Sequence, residues 1–351
     1  MRKNIIILLA VLALFTLPLT AQGAGEPGKK FKLVFEYHGP ATHTRAGNKA
    51  PMMGGWMDLV EKKSNGQITF DRHWGGEPVP VKEALDALRV GTLDVLTEVT
   101  SYYSGKIAVA DIGIMPRNYQ TFADVFDLWW NSPLGKIIDE VYQKRSNAKV
   151  LYPLVFAPEN MQISKKSKKV RKFEDLKGMK IRAAGGLAAI SVKAIGGAPV
   201  TTIGGEYYTA MQRGTIDAGI MTTYSLESYK MWEVCDQVVN PPIFNRCHQL
   251  VWINLDKWKA LGPELQNIMI SAARELETRS IAYMNVDDAR IEKKAKSLGV
   301  EFYTLPPADQ AKMWKAVEPA WDEYVKICEK QGLGNEAKQV RSILTERFNA
   351  Q

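Results

Sequence analysis

The sequence predicts an α/β protein built as two similar lobes that face each other across a cleft. Three observations carry that expectation. Apolar strand-like runs alternate with amphipathic helical runs along almost the whole chain. An eight-residue unit recurs: Ala87-Leu88-Arg89-Val90-Gly91-Thr92-Leu93-Asp94 parallels Ala210-Met211-Gln212-Arg213-Gly214-Thr215-Ile216-Asp217. Each is a helix ended by glycine, then Thr, an aliphatic residue and Asp before a strand, as expected of two lobes with a common supersecondary plan. Finally, a helical pattern that opens at Gly262-Pro263 keeps its spacing through Leu265, Ile268, Met269, Ala272 and Leu276 and runs to about Leu298. At 1.5 Å per residue it is roughly 50 Å long, enough to span two lobes.

The elements follow in order. Arg2 and Lys3, an apolar run from Ile5 to Leu19 and the small residues Ala21, Gly23 and Ala24 form a secretory signal layout over residues 1–24. The run is short for a membrane anchor, so cleavage and export are expected. The formal charge of +8 falls to +6 once Arg2 and Lys3 are set aside. Such a mildly basic exported chain without a recognition motif is not a nucleic-acid binder. Lys32–Tyr37 reads as a strand ending at His38-Gly39-Pro40, Ala50–Lys63 as a helix, Ile68–Phe70 as a strand, and 73–76 as a loop. Val81–Arg89 is a helix stopped by Gly91, and Leu93–Val99 a buried strand ending at Tyr102-Tyr103. Thr121–Trp130 and Pro133–Lys144 are helices, the second capped by Ser132 with Pro133 in its first turn. Val150–Phe156 and Leu250–Ile253 are strands that cross between lobes. Val300–Thr304 is a late strand, and 307–331 and 336–348 are terminal helices. The basic run Lys165–Lys172 reads as a solvated loop, or as a surface that gathers anions or touches a membrane partner.

Between these lies the stretch from Leu176 to Asp217. A short strand delivers Arg182 into the turn Ala183-Ala184-Gly185-Gly186. A helix, a second strand near Val200 and a second helix follow. A guanidinium at a strand end fits a carboxylate or a sulfonate; it can equally pair with a nearby Asp or Glu and only hold the turn. Ligand sites in open α/β sheets lie beyond the carboxyl ends of strands. Here those ends carry His38, Tyr102, Tyr103, Arg182 and the segment from Met221 through Thr222 to Tyr224. Together they describe one cleft with a single fixed cation. The tyrosines can equally be packing residues with wet hydroxyls.

The combination of the strand arginine, Gly197-Ala198-Pro199 and Glu206-x-Tyr208-x-Ala210-x-Gln212-x-Gly214-x-x-Asp217 resembles the signature of solute-binding proteins of TRAP (tripartite ATP-independent periplasmic) transporters, the DctP family. The resemblance implies a two-lobed periplasmic-binding-protein fold, class II-like, with a hinge and a long lobe-spanning helix. The expected lobes are 30–156 with about 243–285, and 157–242 with about 286–351. It further implies that Arg182 meets the ligand carboxylate. The chain departs from the family pattern where a second arginine is common (Met161), where Glu-Asn-Pro is common (Ile220, Met221 and Thr222), and where a Phe walls the pocket (Gly204). The expected ligand is therefore a small organic monoanion, with an apolar or aromatic body lying against Met161, Met221 and the space at Gly204. Sialic acid and dicarboxylates do not follow.

The expected partners are the membrane subunits of a TRAP transporter, and the expected receptor is a periplasmic monomer without cofactor or metal. A sulfonate or aromatic acid is the alternative cargo. An ABC transporter or a chemoreceptor is the alternative client. An exported enzyme is disfavoured. No Gly-x-Ser-x-Gly elbow, zinc motif, Walker loop or cofactor-binding glycine fingerprint occurs, and His38, His43, His73 and His248 form no pair at useful spacing. Of the three cysteines, Cys235 and Cys247 are close enough in sequence to bridge in an oxidising compartment.

Overall fold

The computed structural model describes residues 28–43, 46–116, 118–119, 121–244 and 248–349. The expected signal segment lies outside them. Two sheets form. The first has strand order β2-β1-β3-β10-β4, with β1 at Phe31–Tyr37, β2 at Ile68–Trp74, β3 at Val95–Glu98, β4 at Ala148–Val155 and β10 at His248–Asn254. The second has order β11-β9-β5-β8-β6-β7, with β5 at Glu159–Ser164, β6 at Lys180–Ala183, β7 at Ala198–Thr201, β8 at Ala218–Thr222, β9 at Cys235–Phe244 and β11 at Glu301–Thr304. The chain passes from the first sheet to the second between β4 and β5, and returns between β9 and β10.

The repeated octapeptides are structural equivalents. Helices α1 (Gly54–Lys63) and α2 (Ala84–Val90) come early in the chain, and α2 ends at Gly91 in the left-handed region, φ 82°. In the second lobe α5 (Gly186–Ala194) and α6 (Tyr207–Arg213) occupy the corresponding place, and α6 ends at Gly214, φ 75°. Only a residue without Cβ takes that cap at no steric cost. The aspartate three residues on then ties its strand to a parallel neighbour. Asp94 accepts from Val34 N–H at 2.9 Å, and Asp217 accepts from Lys180 N–H at 2.8 Å.

Helices α3 (Phe122–Asn131) and α4 (Pro133–Ser146) cover the first sheet. Thr121 caps α3 in a capping box with Asp124, and Ser132 caps α4 ahead of Pro133. Helix α8 (Leu255–Ser297) breaks at Gly262, φ 73° and ψ 164°, so a short first segment precedes the long helix that Pro263 starts. Its first half lies on lobe 1, where Trp56 Nε1 donates to Met269 O at 3.2 Å. Its second half lies on lobe 2, where Arg290 pairs with Glu227. After α7 (Ser225–Ser228), the last helices are α9 (Pro307–Val317), α10 (Ala320–Lys330) and α11 (Gly334–Asn349).

Several expectations are corrected. β2 runs on through His73 and Trp74, because Tyr37 pairs with Trp74 in the parallel ladder. The helix expected over 307–331 is two, divided at Glu318-Pro319, where proline cannot continue the backbone ladder. The expected second-lobe segment 286–351 divides as well. Helix α9 sits on lobe 2, with Lys312 at 2.6 Å from Glu174. Helix α11 packs on lobe 1, where Arg347 pairs with Asp124 at 3.1 Å, and α10 lies between the lobes, against α5 as well as lobe 1, where Tyr324 donates to Val109 O at 2.9 Å and Trp321 Nε1 to Pro116 O at 3.0 Å. The basic run is exposed, as expected of a solvated loop, and is tied at two points: Lys165 Nζ donates to Trp232 O and Glu233 O at 3.0 and 2.9 Å, and Arg171 pairs with Glu301 at 2.5 Å. The Cys235–Cys247 bridge is not formed. Cys235 is a free buried thiol at the start of the ten-residue β9, and burial pushes its pKa up to about 12. Cys247 lies outside the described residues.

Candidate functional site: a cleft with one unpaired guanidinium

The first sheet delivers His38 past the end of β1 and Tyr102 past the end of β3. The second delivers Arg182 on β6 and Met221 on β8. These strand ends converge between the lobes. Tyr102 Oη accepts from Gly204 N–H at 3.1 Å, a bond from one lobe to the other. A cavity of about 580 Å³ lies beside this contact, walled by His38, Tyr102, Lys82, Gly186, Thr202 and Glu206 among others. Its size is that of a small-molecule site. Arg182 stands behind its wall, joined to it through Thr202.

Arg182 is the largest charged side chain among the fully buried ones, at 1 % exposure. All its contacts are neutral. Nε donates to Thr202 O at 3.2 Å, and Nη1 lies 3.1 Å from Ile220 O and 3.3 Å from Met221 Sδ. The guanidinium carbon is 5.7 Å from the centroid of the Tyr207 ring. No carboxylate comes within ion-pair distance among the described residues, and Nη2 makes no hydrogen bond to any of them. Glu159 lies in the same region, where its charge raises the pKa values of Tyr102 and Tyr207 that Arg182 lowers. Stripping water from a cation costs several kcal/mol unless an anion compensates. The site is thus electrostatically incomplete, with one donor edge of a planar fork open.

The lobe 1 side is acidic, with Glu98 already paired. Glu98 grips His38 twice, through the His38 amide at 2.8 Å and Nδ1 at 2.5 Å. Glu36, on the same face of β1, is 1 % exposed, with neither carboxylate oxygen bonded to a described residue. Burial, and secondly the Glu98 charge, raise its pKa to about 7. Around the cleft stand aromatic rings. His43 packs on Tyr224 with centroids 4.6 Å apart, and Phe156 lies 5.3 Å from Tyr224. Tyr102 sits edge-on to His38 at 5.3 Å, and burial raises its hydroxyl pKa to about 12 against the lowering field of Arg182.

The residues expected at the site thus separate. His38 and Tyr102 line the cavity, Gly204 bonds to Tyr102, and Met221 touches Arg182 behind the wall, while Tyr224 packs on His43 and Phe156. Thr222 ends β8 with its hydroxyl buried and unpartnered. Two do not join. Tyr103 points into the lobe 1 core, its hydroxyl donating to Val81 O at 2.9 Å and its ring 6.1 Å from Trp252. Successive residues of a 3-10 turn diverge by about 120°, so Tyr102 and Tyr103 cannot share one direction. Met161 pairs with Ile220, while Arg182 and Gln162 both pair with Gly219. One residue of offset on a strand reverses the face, so Met161 lies opposite Arg182. The space expected at Gly204 is also filled: a Cβ there would stand 3.2 Å from Tyr229 Oη and 3.5 Å from His38 Nε2. Lys82, Ser101, Thr202 and Glu206 of the cavity wall, and Tyr229 beside Gly204, are the residues that sequence reasoning missed. No described helix is long and apolar enough to cross a membrane, and no cluster of three His, Cys, Asp or Glu among the described residues is disposed to hold a metal.

Comparison with known proteins agrees with this architecture. A solute-binding protein of Albidiferax ferrireducens is 24 % identical over 269 residues, covering 76 % of this chain and 78 % of the relative. Among solved structures, a TRAP periplasmic solute-binding protein from Desulfovibrio salexigens with bound orotic acid superposes with a TM-score of 0.81 at 19 % identity, covering 92 % of this chain and 99 % of that one. A marine metagenome TRAP solute-binding protein specific for aromatic acids, in complex with metahydroxyphenylacetate, gives 0.78 at 18 % identity, covering 91 % and 99 %. The profile of DctP, the bacterial extracellular solute-binding proteins of family 7, matches residues 43–327, most of the chain, and the protein belongs to that family.

Proposed function

We propose that the protein captures a small organic monoanion, a carboxylate, between its lobes through Arg182 and delivers it to the membrane subunits of a TRAP transporter. The observation that carries this reading is a guanidinium at 1 % exposure with only neutral partners and a free donor edge. A ligand carboxylate supplies the missing charge, and closure around it excludes water and strengthens the bond. Arg182 is the one buried Lys or Arg among the described residues and suits one negative charge; a dicarboxylate would carry its second charge toward the acidic Glu36–Glu98 side. The orotic acid and metahydroxyphenylacetate held by the two structural neighbours are acids of this kind. The protein works as a periplasmic monomer that turns nothing over.

Thermal shift against carboxylates, sulfonates, aromatic acids and neutral sugars tests this, with Arg182→Ala alongside. At a hundred times its dissociation constant a ligand adds about 2.7 kcal/mol of stability. The expected result is a shift with carboxylic monoacids that the variant loses. A shift with neutral compounds alone, equal in both proteins, would make Arg182 structural.

A further inference from the structure

We propose that the His38–Glu98 pair sets the ligand class: Glu98 holds the imidazole so that Nε2 is a bare acceptor on the cleft wall, which selects carboxylic acids whose body carries a hydrogen-bond donor, a hydroxyl or an N–H. The inference rests on carboxylate capture by Arg182 and names a second contact made by the same ligand.

His38 lines the cavity beside Tyr102. Its side chain is 7 % exposed and that of Glu98 1 %. The two oxygens of Glu98 have separate tasks. Oε1 accepts from the His38 backbone N–H at 2.8 Å, and Oε2 lies 2.5 Å from Nδ1. A carboxylate only accepts, so Nδ1 carries the proton, and in the neutral ring Nε2 is then the acceptor. Nε2 makes no hydrogen bond to any described residue. It faces lobe 2, where a Cβ on Gly204 would stand 3.5 Å from it. Gly204 has no side chain to offer, and its N–H is already taken by Tyr102 Oη at 3.1 Å. Residue 204 therefore supplies Nε2 with no donor.

A ligand hydroxyl or N–H satisfies this acceptor; an ether oxygen or a bare ring displaces water from it without replacing the bond. Sites built to hydrogen-bond a ligand group discriminate against the analogue that lacks it, and a single neutral bond corresponds to about tenfold. The backbone bond also fixes what a change at residue 98 does. In Glu98→Gln the His38 N–H still needs an acceptor, so the amide oxygen stays with it and the amide nitrogen faces Nδ1. Nδ1 must then accept, and the ring proton moves to Nε2. The same atom becomes a donor in a site of the same size and shape.

The test is calorimetric titration with the ortho, meta and para hydroxyphenylacetates, their methyl ethers and phenylacetate. In the wild type the best hydroxy acid is expected to bind about tenfold more tightly than its own ether and than phenylacetate. Glu98→Gln should bring that acid and its ether within about threefold of each other and lift the ether above phenylacetate, because an Nε2–H donates to either oxygen. His38→Phe removes the nitrogen and keeps a ring, and should leave the hydroxy acid, its ether and phenylacetate within about threefold. A full gap between hydroxy acid and ether that persists in Glu98→Gln or in His38→Phe, or wild-type binding without discrimination, overturns the inference alone. Failure of every acid to bind the wild type overturns the carboxylate reading and the inference together.

Discussion

The two repeated turns are alike in scaffold and opposite in charge. Gly91 and Gly214 cap their helices with nearly the same backbone, and Asp94 and Asp217 each fasten a strand that runs toward the cleft. On the lobe 1 strand, four residues beyond the fastened Val34, stands His38, already held by Glu98. On the lobe 2 strand, two residues beyond the fastened Lys180, stands Arg182, held only by carbonyls and a thioether. The same handle thus presents a paired group on one lobe and an unpaired one on the other. Scaffold and chemistry are separable here, and the binding capacity lies where pairing is incomplete.

The comparison can be broken first at the handles. Asp94 is nearly buried and Asp217 partly exposed, with side-chain exposures of 6 % and 30 %. Asp94→Ala strands a buried amide and is expected to cost about 3 kcal/mol, whereas Asp217→Ala should cost about 1 kcal/mol. Urea unfolding measures both; equal losses would mean that burial does not set the difference. The acid side of the cleft gives the next effect. The folded pKa of Glu36 lies above its ordinary value of 4.5, at about 7. Its contribution to stability is therefore full below about pH 4.5 and lost as pH rises through about 7. Unfolding midpoints at pH 5 and pH 8 should differ less in Glu36→Gln than in the wild type; the same difference in both would place the titration elsewhere. Tyr102→Phe removes the bond from Gly204 and should weaken ligand affinity by about tenfold, while the ligand-free melting temperature stays put. A drop in that temperature would make Tyr102 a residue of the resting fold. Smallest is Thr222→Val, which removes a buried, unpartnered hydroxyl. It should leave ligand-free stability unchanged or raise it by about 0.5 kcal/mol; a clear loss would reveal a partner for that hydroxyl.

What the sequence revealed was local. The glycine caps, the Ser132-Pro133 helix start and the strand ending at Arg182 all follow from neighbours a few residues apart. Strand β9 escaped because Asn240-Pro241-Pro242 reads as a turn. Its ladder with β11 stops at Asn240, so the prolines sit where no amide is required on that side. Met161 and Tyr103 were misdirected because one residue of register, or one step of a tight turn, reverses a side chain. Helices α10 and α11 show clear apolar stripes, yet a stripe does not say which lobe it will cover. Tyr229 reaches Gly204 only through the folding of lobe 2. The one hint in the sequence was negative, a glycine where a wall was expected.

The central claim is that Arg182 is kept for an anion and not for the fold, and Arg182→Met tests it most directly. Methionine fills much of the same volume and removes the buried charge. Losing the bonds to Thr202 and Ile220 costs about 1–3 kcal/mol, and relief from burying an uncompensated cation offsets it. The expected result is ligand-free stability within about 1 kcal/mol of wild type, together with loss of every carboxylate-induced thermal shift. A ligand-free protein destabilised by about 3–5 kcal/mol, with acid binding retained, would show that the guanidinium holds the lobe together and that the anion sits elsewhere.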